Sequence, residues 1–150
     1  MSGTAIQVEV AGIERLQAKL RRMAGTDMHG LLDALGGMVA AQTQQRIAKD
    51  KTSPDGKPWA PWSERYRHSR HVGHSLLMGE IHLLQSIQHL VSGHQVQIGS
   101  NLVYAAIHQF GGAAVGKPGL PARPYLGLSD KDLADIEQIV DNWAEKMLRA

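Results

Sequence analysis

The chain has 150 residues, 43% of them hydrophobic, with a formal net charge of +2 and no cysteine. That length fits one domain able to bury a core, and the missing cysteines exclude disulfides, thiolate metal sites and cysteine nucleophiles. No apolar run approaches the roughly 18 residues that span a bilayer, and Met1 to Val10 lacks the basic and long apolar regions of a signal peptide, so a soluble protein kept in the cytoplasm, with no membrane partner, is expected.

Ile6, Val8 and Val10 alternate with Gln7 and Glu9. Period 2 predicts a half-buried strand that Gly12 ends. Ile13, Leu16, Leu20 and Met23 recur at helical spacing, which predicts a helix over 13 to 24 stopped by Gly25. A second helix is expected after Thr26-Asp27 and runs to about Lys49, with Leu31, Leu35, Met38 and Gln42 on one face. Gly36-Gly37 sits in its middle, where each Gly costs roughly 1 kcal/mol against Ala. Close packing against another element accounts for the pair better than a hinge.

Residues 50 to 75, DKTSPDGKPWAPWSERYRHSRHVGHS, change character and read as an exposed loop with aromatic content. Pro54-Asp55-Gly56 is a turn: Pro presets φ and Gly accepts a positive φ. Leu76 to Gln88 reads as a helix after a Ser75 cap. His89 to Val91 and Gln95 to Gly99 flank Ser92-Gly93-His94 and predict a β-hairpin. Residues 103 to 110 predict a short helix, 111 to 124 a Gly/Pro-rich loop, and Tyr125 to Leu128 a short strand. Ser129 and Asp132 form a capping box. After it Leu133, Ile136, Val140, Trp143 and Met147 make the strongest apolar stripe in the chain. The order of elements predicts an α+β fold, helices packed on a small, mainly antiparallel sheet with a long C-terminal amphipathic helix. A single domain over 1–150 is expected, with exposed loops at about 50–75 and 111–124.

Catalytic chemistry finds little support. Gly111 to Lys117, GGAAVGK, matches G-x-x-x-x-G-K, but Pro118 follows where a phosphate-binding loop needs Ser or Thr and then a helix. His68, His71 and His74 are spaced by three, as a zinc site on a helix requires. Gly73 interrupts them and no carboxylate lies between Arg65 and Gly79, so surface histidines are the better reading. There is no nucleophile elbow and no pair of carboxylates in an apolar setting. Asp130, Asp132, Asp135, Glu137, Asp141 and Glu145 are expected on the solvated face of the last helix.

Residues 46 to 70 carry Arg46, Lys49, Lys51, Lys57, Arg65, Arg67 and Arg70, interleaved with Trp59, Trp62 and Tyr66. That composition suits a single-strand nucleic-acid platform and equally a protein–protein hot spot. A sequence pI near 9.0 leaves nucleic acid open as a partner. The small net charge favours a protein partner.

Three separated stretches then stand together: SPDGKPWAPWS (53 to 63), GSNLVYAAIHQFGG (99 to 112) and LPARPYLGLSDKD (120 to 132). In this order and spacing the chain resembles the phage virion morphogenesis family, the tail completion proteins of contractile-tailed phages and Mu-like prophages. The likeness covers nearly the whole chain. It implies a structural, non-enzymatic role without cofactors: tail completion and stable head–tail joining through contacts with tail and head–tail connector proteins. It also implies a homo-oligomeric ring in the assembled particle, and residence in the host cytoplasm during assembly and then in the virion tail or head–tail junction. Family-motif positions are Pro54, Asp55, Gly56, Trp59, Tyr104, His108, Gln109, Phe110, Gly111, Gly112, Pro121, Pro124 and their neighbours. Candidate interface residues are Trp59, Trp62, Tyr66, Lys117, Arg123 and Tyr125, with Arg123 between Pro121 and Pro124 the best placed for a fixed charge. The His/Arg-rich segment 67–75 matches no family feature. The rival readings are a nucleic-acid-binding module using 46–70 and a metal-dependent nuclease using His68, His71 and His74. Within 103 to 110, Val103, Ala106, Ile107 and Phe110 are expected to face the core, Gly111-Gly112 to end the helix, and the loop to Pro121 to order against a partner.

Overall fold

The computed structural model describes residues 13–22, 28–64, 68, 76–77 and 82–149. The expected strand at 6–10 lies outside them, as do Tyr66, His71 and His74. Among the described residues the fold is α+β: five α-helices and one two-stranded antiparallel sheet.

Helix α1, Glu14–Arg22, buries Leu16. Helix α2, His29–Gln45, continues without a break into a π-helical turn, Arg46–Asp50. The extra residue of a π turn changes the phase of the helix, and here it brings both Arg46 and Ile47 into the interior. Lys51 ends the turn in the left-handed conformation, its N–H bonded to Arg46 O at 2.9 Å. Helix α3, His82–Ser86, is shorter than the helix expected from Leu76, since Leu76 and Leu77 form a turn. Strands β1, Gln88–Ser92, and β2, Gln95–Gly99, pair with Val91 opposite Val96 and Ser92 opposite Gln95. Helix α4 is Ala105–Phe110 and α5 is Asp130–Arg149. No helix among the described residues is long and apolar enough to cross a membrane.

Helix α2 joins two cores. Its N-terminal half packs Leu31 and Leu35 with Leu16 of α1 and Ile136 and Val140 of α5. Its C-terminal end and the π turn give Ala40 and Ile47 to a second cluster with Trp59, Leu83, Ile87, Ala105, Tyr125 and Leu126. The hairpin lies on the middle of α2. A Cβ on Gly36 would stand 2.5 Å from the His89 ring and 2.7 Å from Val96 Cγ2, so the glycine is a contact point with the hairpin. His89 Nε2 also meets Asp33 Oδ1 at 2.9 Å across the same joint. Gly36→Ala is therefore expected to cost about 1–3 kcal/mol by overpacking. At Gly37 an added Cβ first meets His89 at 3.9 Å, and the same change there is expected to stabilise by up to roughly 1 kcal/mol. Thermal unfolding of the two variants separates them.

The capping box is present as expected: Ser129 N–H donates to Asp132 Oδ2 and Asp132 N–H to Ser129 Oγ, each at 3.0 Å. The strand expected at Tyr125–Leu128 is absent; the segment is irregular, and its backbone groups bond to side chains instead of a ladder.

Candidate functional site: a three-segment clasp beneath an exposed helix face

The 53–63, 99–112 and 120–132 stretches converge on one another. In the first, Thr52 bridges Pro58 and Ser53 N–H bonds Lys57 O at 2.8 Å around a Pro54-Asp55-Gly56 turn. Gly56 sits at φ +87, and Asp55 Oδ1 accepts the Lys57 N–H at 3.0 Å. This turn drops Trp59 inward, where its indole N–H donates to Pro124 O at 2.8 Å. Pro54 packs on Gly127 so tightly that a Cβ there would lie 2.8 Å from Pro54 Cγ.

The second stretch grips the third through Gln109. Its Oε1 accepts the N–H groups of Tyr125 (3.0 Å) and Leu126 (2.9 Å), and its Nε2 donates to Leu126 O (3.3 Å). One buried amide thus satisfies three backbone groups of a segment with no ladder of its own. Tyr125 OH donates to Ala105 O at 2.8 Å, and burial pushes that hydroxyl's pKa well above its usual value. The Arg123 N–H donates to His108 O at 2.8 Å, while its side chain bonds Ala60 O (2.8 Å) and Pro61 O (3.2 Å). The double glycine has two separate causes. Gly111 adopts φ +81 to leave the helix, and a Cβ on Gly112 would strike Lys117 O at 2.4 Å.

The clasp is locked to the helices by one buried ion pair. Arg46 donates to Tyr125 O at 2.7 Å and to the Asp132 carboxylate, which also caps α5. Their side chains are 4% and 10% exposed, so each charge depends on the other.

Several expectations are corrected. Trp59, Arg123 and Tyr125, expected at an interface, are buried inside the chain because their polar atoms serve backbone carbonyls across the clasp. Asp132, expected in solvent, is buried with Arg46. Arg46 and Trp59 therefore drop out of the basic, aromatic surface at 46–70. Lys51 is turned inward too: its amine donates to Leu76 O at 2.6 Å and to Ile47 O, and burial lowers its pKa. Lys49 and Lys57 remain exposed and Trp62 is half-buried.

Helix α4 is rotated against expectation. Ala105 and Gln109 face inward, whereas Val103 and Phe110 are 64% and 58% exposed. Tyr104 stands outward with its ring edge-on to His108, centroids 5.7 Å apart. The loop that follows is closed on itself, with Gly112 N–H to Leu120 O (3.0 Å), Lys117 N–H to Gly112 O (2.8 Å) and a 3-10 turn, Ala113–Val115. Lys117 and Pro121 are exposed on it. No nucleotide loop forms: the chain runs on from Lys117 through a turn, not a helix. His68 is exposed, and among the described residues no group of three His, Asp or Glu is placed to hold a metal ion.

His108 gives a pH handle on the clasp. Burial, and then the nearby Arg123 charge, hold its pKa below the usual 6.5. The folded state thus binds this proton more weakly than the unfolded state. Stability from this residue is complete above about pH 6.5 and falls as pH drops through that value towards the lower folded pKa. Melting temperatures from pH 7.5 to 5 are expected to decline, and His108→Gln is expected to flatten the slope.

The chain matches the model of the phage virion morphogenesis family over residues 8–145, and it belongs to that family. It is similar to the Mu-like prophage FluMu G protein 2 of Haemophilus influenzae, 28% identical over 149 residues, 96% of this chain and 99% of the relative. It is also similar to a protein of Escherichia phage Mu named "Putative capsid assembly protein G", 33% identical over 123 residues, 77% of this chain and 78% of the relative. No solved structure matches it. The resemblance read from the three motifs is thereby established, and with it a role in phage virion assembly.

Proposed function

We propose that the chain completes the phage tail and allows its stable joining to the head, through protein–protein contacts and with no catalytic step. Copies stand in a ring at the head-proximal end of the tail, contacting tail and head–tail connector proteins. Assembly takes place in the host cytoplasm. The observation that carries this reading is the clasp: three separated motif stretches spend their polar groups on one another and hold an apolar helix face in solvent. A chain that invests its most specific residues in fixing a surface uses that surface for contact. Ring symmetry suits axial tails, whose subunits meet by heterologous contacts.

The reading predicts in vitro complementation. Purified chain, added to a lysate of a phage deleted for its gene, is expected to raise the infective titre by orders of magnitude. No rise with purified chain, where the gene supplied in trans restores the titre, would place its action before joining and overturn the proposal.

A further inference from the structure

Several apolar side chains on and beside α4 stand in solvent. Val103, in the turn that leads into α4, and Phe110, the last residue of α4, both stand mostly in solvent, with Ala106 and Ile107 half-buried between them. The closed loop adds Val115 and Leu120, 58% and 43% exposed. An amphipathic helix ordinarily turns such a stripe inward. Here the inward side is taken by Ala105 and Gln109, because Gln109 must reach the Tyr125 and Leu126 backbone.

Charge decides what covers the face. From residue 81 to residue 129 the sequence holds no Asp or Glu, so α3, the hairpin, α4 and the loop contribute no negative charge. The exposed cation is Lys117, and the Arg123 guanidinium beneath is close enough to lower the His108 pKa. A second copy is a poor occupant. Beyond this face, Leu90 is the remaining large apolar side chain well exposed among the described residues. Pairing the face with itself would set the Lys117 of each copy against a surface to which residues 81–129 bring no carboxylate, which is electrostatically adverse. Four exposed apolar side chains, Val103, Phe110, Val115 and Leu120, fall well short of the roughly 20–30 residues a side of a standard interface. That size fits one inserted segment, bound as an apolar stripe in a groove or on a face.

We propose that this face docks an amphipathic segment of another virion protein, one whose apolar stripe is rimmed by carboxylates. Val103, Phe110, Val115 and Leu120 take the apolar side chains, and Lys117 meets the acidic rim. The inference rests on the joining role proposed above and names the chemistry of the partner.

The test uses the full chain and three synthetic amphipathic peptides with the same Leu stripe, rimmed by Glu, by Gln or by Lys. The Glu-rimmed peptide is expected to bind about tenfold or more tighter than the Lys-rimmed one. Val103→Ser and Phe110→Ser are each expected to weaken it about tenfold, with unchanged melting temperature because both side chains are already in solvent. Lys117→Glu is expected to reverse the order of the Glu and Lys peptides. Equal affinity for all three rims, or binding of none, overturns the proposal. So does self-association in sedimentation velocity that Phe110→Ser abolishes, since a second copy would then cover the face. The peptides need neither heads nor tails, so failure here leaves the joining role to its own test.

Discussion

Arg46→Met is expected to lower the unfolding free energy by about 3–5 kcal/mol. For a chain of this length that is a fall in melting temperature on the order of 10 °C. The loss has little to do with a deleted contact as such. Arg46 and Asp132 face each other with almost no access to water, so removing one charge strands the other in the interior. Tyr125 O also loses its guanidinium donor. The double variant Arg46→Met/Asp132→Leu removes both charges together and is expected to recover most of the loss. About 1 kcal/mol should remain, because Asp132 also accepts the Ser129 N–H at the start of α5. Urea unfolding of the wild type, both single variants and the double variant measures the coupling. A single Arg46→Met variant as stable as wild type would mean that the pair is not what locks the clasp to α2 and α5.

Gln109→Leu is expected to be as damaging by a different route. The shapes are similar, so no large cavity opens. What is lost is the partner of three backbone groups, the N–H of Tyr125, the N–H of Leu126 and the C=O of Leu126. Each buried group left unpaired costs about 1–3 kcal/mol, and a combined loss of about 3–5 kcal/mol is expected because the segment can relax in part. The direct readout is hydrogen exchange. The Tyr125 and Leu126 amides should be protected in wild type and exchange freely in the variant, while the α2 amides around Leu35 and Ala40 remain protected. Because Gln109 also sets the rotation of α4, the variant should lose complementation even at temperatures where it stays folded.

These residues also mark where sequence reasoning succeeds. The hairpin, the capping box and the stripe of α5 are local patterns, and each is present. Gly36 was legible as a packing point because a helix-interior glycine needs a reason, although only the structure identifies His89 and Val96 as the reason. The rotation of α4 was not legible. A helical wheel defines the apolar face Val103–Ala106–Ile107–Phe110 but not whether that face meets core or solvent. What turns it outward is the demand of the Tyr125–Leu126 backbone for Gln109, a contact sixteen residues along the chain. The same demand explains the strand that was expected at 125–128 and is absent. Asp132 carried an unread signal: it lies four residues before Ile136 and eight before Val140, on the buried side of α5. A carboxylate at an apolar stripe position implies a buried cation, and Arg46 is that cation.

The candidate site was legible as a set of motifs but not as a mechanism. The three stretches were recognisable together, yet Trp59, Arg123 and Tyr125 read as partner contacts when they are the clasp itself. Trp, Tyr and Arg are enriched at interfaces because a broad apolar body with a polar tip serves there, and that combination serves equally in closing a chain on itself. Among the described residues, Val103, Phe110, Val115 and Leu120 are apolar side chains in this part of the chain that stay exposed.

The most direct test of the tail-joining role is electron microscopy of an induced lysate from a host lacking this gene, beside the undeleted control. Filled heads and complete tails lying apart, and whole virions when the gene is supplied in trans, are the predicted result. Intact, joined virions in the deletion lysate would contradict it.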